Sequence, residues 1–154
     1  MLTRTALINR SQAAALLALG CVLGPMLGCG DGHPYRVTPV RGSIAYEDGS
    51  LIPAEGITLR FESQEPPVNP KEHPRPGLVE VDVSSGEFGA PTTYDYQDGV
   101  VRGRHKVLVQ VTGAQPGAPA SGQALIPKGY GSAASTPLEV SSGDSPFEFR
   151  IPKP

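Results

Sequence analysis

His105-Lys106-Val107-Leu108-Val109-Gln110-Val111 is the longest clean alternation in the chain, with His105, Val107, Val109 and Val111 on one side and Lys106, Leu108 and Gln110 on the other. A period of two is the signature of a β-strand, because successive side chains leave a pleated backbone on opposite faces. Leu108 makes the second face partly apolar as well, which predicts a central strand covered on both sides.

Working outward, shorter runs repeat the pattern. Val40 to Tyr46 sets Val40, Gly42, Ile44 and Tyr46 on one face, and Gly56 to Glu62 sets Ile57, Leu59 and Phe61 inward. Leu78 to Val83, Glu87-Phe88, Thr136 to Val140 and Phe147 to Ile151 complete the set, the last with Phe147, Phe149 and Ile151 inward. Asp48-Gly49 and Asp98-Gly99 supply turns, since an Asp-Gly step tolerates positive φ. No stretch from residue 29 onward keeps a 3.6-residue period over three turns, so helices are expected only as single turns. The reading is all-β: a seven-stranded antiparallel β-sandwich over residues 40–152.

Two Pro-rich or Gly-rich segments interrupt the alternation. Residues 63–77 hold Pro66, Pro67, Pro70, Pro74 and Pro76, and residues 112–124 are rich in Pro, Gly and Ala. Both are expected as exposed loops. Ile126 and Tyr130 are placed to pin the second loop onto the core.

The N-terminal part has a different logic. Arg4 and Arg10 precede an apolar run from Ala13 to Leu27, with no acidic residue before Cys29. That is the order of a secretory signal. The run, about 15 residues with Gly20, Gly24 and Pro25 inside it, falls short of the roughly 20 apolar residues a spanning helix needs. Met26-Leu27-Gly28-Cys29 resembles the bacterial lipobox. Residues 1–28 are therefore read as a lipoprotein signal peptide, cleaved to leave Cys29 as the lipid attachment site. Residues 29–39 are read as a flexible tether. Cys21 departs with the signal, so one cysteine remains, which suits acylation and forbids an intramolecular disulfide. A cut before Cys21 is the alternative, and it shortens the apolar region to about eight residues.

The retained part carries a net charge of about −4, since Arg4 and Arg10 leave 11 basic groups against 15 acidic ones. No basic surface is implied, and no nucleic-acid partner is expected. Glycine and proline make up about a quarter of it, at the edge of the disordered class. The ordered alternation argues for a folded domain.

Candidate chemistry is sparse. His33, His73 and His105 fall in tether, loop and strand, with no close pair and no cysteine besides Cys29, so no metal site and no cofactor are expected. Asp31, Asp48, Asp98 and Asp144 sit beside glycine in turns, where turn-making outweighs calcium binding. Tyr94 and Tyr96, read as neighbours on one strand face, suit packing better than stacking on a sugar. There is no phosphate-binding glycine loop and no Gly-x-Ser-x-Gly elbow.

The pieces Val40 to Pro53, Ser85-Gly86-Glu87-Phe88, Asp98-Gly99 with Gly103 to Val109, Ile126-Pro127-Lys128-Gly129-Tyr130 and Thr136 to Val140 occur in an order that resembles small planctomycete-type bacterial lipoproteins with a carboxypeptidase-regulatory-like or transthyretin-like domain. The resemblance implies a seven-stranded transthyretin-like or Ig-like sandwich of unassigned biochemical role, and it adds no catalyst to the residues above. The C-terminal Tyr-Arg-Gly-Ser of transthyretin-like hydroxyisourate hydrolases is missing. The resulting expectation is a non-enzymatic, extracytoplasmic protein. It would be held to a membrane of the cell envelope, at the outer membrane or periplasmic face, by lipid on Cys29. It would serve as a binding or accessory module for carbohydrate, peptide or another envelope protein, the alternatives being a structural spacer or a hydrolase.

Overall fold

In the computed structural model the described residues are 32–154, and those from His33 to Pro154 form one compact unit. The lipobox residues Met26, Leu27, Gly28 and Cys29, and the signal peptide as a whole, lie outside the described residues.

Among the described residues nine strands follow in order: β1 (Val37–Thr38), β2 (Gly42–Tyr46), β3 (Gly56–Ser63), β4 (Gly77–Glu80), β5 (Glu87–Phe88), β6 (Val100–Val101), β7 (Arg104–Thr112), β8 (Glu139–Ser141) and β9 (Phe147–Ile151). They form three sheets with orders β1-β6, β5-β2-β9 and β4-β3-β7-β8. Helical structure among the described residues is confined to single 3-10 turns at Gly122–Leu125, Lys128–Gly131 and Ser142–Asp144. The fold is all-β, as the alternation predicts.

The long alternation becomes β7, an interior strand of the four-stranded sheet. His105, Val107, Val109 and Val111 are buried on one face, and Leu108 is buried on the other. β7 pairs antiparallel with β3 along the full length of β3, Gly56 opposite Thr112 through Ser63 opposite His105. The inward residues of β3, Ile57, Leu59 and Phe61, are buried, while Thr58, Arg60 and Glu62 are only half-buried. Phe61 meets the three phenylalanines of the other large sheet, with ring centroids 6.1 Å from Phe88, 6.1 Å from Phe147 and 6.5 Å from Phe149. Such aromatic pairs are worth about 0.5–1.5 kcal/mol each beyond the area they bury.

Four expectations are corrected. First, the pairing is not antiparallel throughout: β2 and β9 are parallel, Gly42 beside Phe147 through Tyr46 beside Ile151. Gly42 permits this approach, because a β-carbon there would lie 2.3 Å from the Phe147 carbonyl oxygen. Second, the expected tether is not structureless from His33 onward. Val37 and Thr38 form β1 against Val101 and Val100 of β6, where the alternation of two residues is too short to register as a strand. Gly99, at φ +109°, lets that crossing close, since a side chain there would meet the Thr38 carbonyl. Third, the strand expected over Thr136 to Val140 is limited to Glu139–Ser141. Pro137 lacks an N–H, and the Thr136 hydroxyl donates instead to the Val107 carbonyl at 2.7 Å. Fourth, Tyr94 and Tyr96 lie in a turn and are not strand neighbours. The Asp98 carboxylate organises this turn by accepting the N–H groups of Thr93, Tyr94 and Asp95 at 2.8–3.0 Å.

The open edge of β7 shows how the long loop is tied down. β8 covers only Arg104 to Lys106. Beyond it, the Gln123 side chain stands in for a strand: its Oε1 accepts the Val111 N–H at 3.0 Å and its Nε2 donates to the Val109 carbonyl at 2.9 Å. Ile126 and Tyr130 then bury themselves in the core, as expected.

Candidate functional site

A groove of about 570 Å³ lies where the β2 end, the Asp48-Gly49 turn, the loop after β7 and the C-terminus meet. It exceeds the clefts beside Phe88 and Phe147 (about 400 Å³), beside His105 and Val140 (about 370 Å³) and beside Leu78 and Tyr96 (about 440 Å³). Tyr46, Leu51, Pro53, Pro119, Leu125 and Lys153 are among its lining residues.

Each wall has a local cause. Tyr46 ends β2 with its ring inward, and its hydroxyl donates to the Leu125 carbonyl at 2.7 Å, joining the β5-β2-β9 sheet to the 3-10 turn at Gly122–Leu125. Gly49 takes φ +84° and turns the chain, so Leu51 emerges on the rim with 40% of its surface exposed. The loop above is fixed to this turn by the Gln115 N–H donating to the Pro53 carbonyl at 2.9 Å, and by the Gln115 side chain donating to the Ala54 carbonyl at 3.2 Å.

Charge enters at one point. The Lys153 ammonium lies 5.3 Å from the Tyr46 ring centroid and donates to Asp48 Oδ2 at 2.5 Å. Lys153, followed by the Ser50 hydroxyl and N–H, holds the Asp48 carboxyl well below the usual carboxylate range. Burial raises the Tyr46 phenol above its ordinary value, with Lys153 pulling the other way. Tyr46 is thus protonated at neutral pH, with its proton committed to Leu125. The groove offers apolar walls, an aromatic ring and the Lys153–Asp48 ion pair, a set that can hold an amphipathic ligand.

The other candidate residues do not converge. His33 stacks on Tyr94 at 4.5 Å, with its Nε2 3.1 Å from Asp95, and the Arg75 guanidinium lies 5.4 Å from the same tyrosine ring. His73 is exposed in the Pro-rich loop. His105 is fully buried against Phe61, and its Nε2 donates to the Val101 carbonyl at 2.6 Å. Burial lowers its pKa, and hydrogen bonding to the Val101 carbonyl only partly offsets this, so the imidazole is neutral at pH 7. Its Nδ1 has no partner among the described residues. Asp48 and Asp98 serve their own turns, and Asp144 lies exposed in the last 3-10 turn. Asp31 lies outside the described residues, among which no group of three or more His, Cys, Asp or Glu side chains is placed to hold a metal. Tyr96 is 83% exposed.

Sequence reasoning missed Lys153 and Gln123. Lys153 follows the last strand with no pattern of its own, and a lone glutamine in a loop carries no signal for edge capping. No family model, curated protein or solved structure matches the chain.

Proposed function

We propose that the chain is a lipid-anchored cell-envelope protein whose β-sandwich domain is a non-catalytic binding module. The groove beside Tyr46 and Leu51 is its binding surface, for carbohydrate or peptide of the envelope. The observation that carries the binding role is that groove: the largest of the four clefts compared, apolar, and walled by a long loop on a rigid sheet, where binding function concentrates. Support for the sandwich comes from the three-stranded and four-stranded sheets, which together hold seven strands and meet through Phe61, Phe88, Phe147 and Phe149. This agrees with the resemblance to carboxypeptidase-regulatory-like and transthyretin-like domains. Support for the anchor comes from the Met26-Leu27-Gly28-Cys29 motif behind a short apolar run.

The test is retention of envelope glycan and peptide fragments by the purified full chain and by Leu51→Asp. Leu51 is exposed enough to change without unfolding the core. The binding role requires fragments retained by the wild type and lost by the variant. Equal retention, or none at high protein concentration, transfers the reading to a structural spacer.

A further inference from the structure

The outer edge of β9 carries a feature that the groove does not use. In the parallel β2–β9 ladder the Phe147 N–H donates to the Arg41 carbonyl at 2.9 Å, and the Ile151 carbonyl accepts the Glu47 N–H at 3.0 Å. Alternate residues of a parallel strand address the same neighbour, so Phe147, Phe149 and Ile151 face β2 with their backbone groups. The N–H and C=O groups of Glu148 and Arg150 face the other way, and β9 is the last strand of its sheet. β7 has its comparable edge covered by Gln123 and Thr136; no such cover over β9 is found among the described residues. Unpaired edge groups of this kind are a template for another strand.

The side chains on this edge say which strand fits. Glu148 and Arg150 are both exposed, with side chains 76% and 48% accessible. Their mutual contact within the strand is only 4.0 Å and is a weak surface pair. If a second β9 lies antiparallel with Phe149 opposite Phe149 of the other copy, Glu148 falls opposite Arg150 and Arg150 opposite Glu148. Both are then hydrogen-bonded positions, because the free backbone groups belong to those two residues. Four backbone hydrogen bonds and two opposite-charge cross-strand pairs form together, and a twofold axis requires both halves at once. Pro146 and Pro152 flank the strand without an N–H to offer, so the ladder stops there. Each copy has one such edge, and pairing consumes it, which closes the assembly at two.

We infer that the β9 edge, through Glu148 and Arg150, is the interface for a second copy of this chain, joining two β5-β2-β9 sheets into one continuous six-stranded sheet.

The experiment is sedimentation equilibrium of the full chain in a density-matched neutral detergent with reductant present, so that cysteine cross-links play no part. The wild type is expected to dimerise. Glu148→Arg and Arg150→Glu each set two like-charge pairs across the axis, and each is expected to raise the dimer dissociation constant roughly tenfold or more. The double variant E148R/R150E restores opposite charges and is expected to return to the wild-type constant. Thermal melts recorded at a concentration where the wild type is monomeric are expected to coincide for all the variants, which shows that the fold is intact, since both positions are exposed. A monomeric wild type at all concentrations overturns the inference, as does a dimer indifferent to single reversal or a double variant as weak as the singles.

Discussion

The Tyr35 hydroxyl accepts the Val68 N–H at 2.8 Å and reaches the Glu72 carbonyl at 2.9 Å, so a residue ahead of β1 clasps both sides of the Pro-rich loop. Asn69 and Glu72 close the tip of the same loop through paired backbone and side-chain bonds. Tyr35→Phe removes the clasp and leaves the ring. A net hydrogen bond is worth about 0.5–1.5 kcal/mol, and the two lost here are exposed, so global stability should fall by no more than about 3 kcal/mol. Limited proteolysis within residues 64–76 should accelerate several-fold. An unchanged cleavage rate there means the loop holds its shape without Tyr35.

Gln123→Ala leaves the Val109 carbonyl and the Val111 N–H without their partner on the open side of β7. Leaving buried polar groups unsatisfied costs about 1–3 kcal/mol each, and solvent entry at this partly buried edge places the expected loss near 2 kcal/mol. Chemical denaturation measures it. Backbone amide exchange at Val111 should speed up by more than the global change predicts, because the loop that walls the groove is released along with the edge.

His105 provides a pH test whose sign is fixed by its burial. Its folded-state pKa lies below the ordinary value of 6.5, so the unfolded chain takes up the proton first as pH falls. The stability that goes with the neutral ring is fully present above pH 6.5 and is lost progressively as pH drops below it toward the folded-state value. Denaturation midpoints should therefore decline between pH 7 and pH 5. His105→Gln, which has no proton to gain and keeps an N–H for Val101, should show a shallower decline. Parallel curves for the two proteins contradict a neutral buried imidazole.

For the proposed anchor, Cys29→Ala should abolish incorporation of labelled palmitate and move the protein out of the membrane pellet. Retention of label and of membrane association in that variant sinks the lipid reading. Should label be lost while pelleting persists, some other contact is holding the protein at the membrane.

Strands whose burial alternates residue by residue are the most legible in the sequence. β3, β7 and β9 follow the periodicity of Ile57-Leu59-Phe61, His105 to Val111 and Phe147-Phe149-Ile151 almost to the residue. β1 escapes because Val37 and Thr38 are two residues ahead of a proline, and their partners Val101 and Val100 lie far along the chain. The parallel pairing of β2 with β9 escapes for a related reason: strand pairing between the first and last thirds of a chain leaves no local mark. The groove is half legible. The loop at 112–124 points to it, but Tyr46 reads as core and Lys153 as a chain end, and only the fold sets them 5.3 Å apart.

The brief β1–β6 ladder has a mechanical meaning if the chain is moored at Cys29. Once the stacking of His33 on Tyr94 and the clasp of Tyr35 are released, these four residues in two pairs are what a pull from that side must unzip before it reaches β2. Peeling residues 33–38 would release roughly 20 Å of extra line at about 3.3–3.6 Å per residue. Such a release would lengthen the chain ahead of β2 without disturbing the pairing of β2 with β5 and β9.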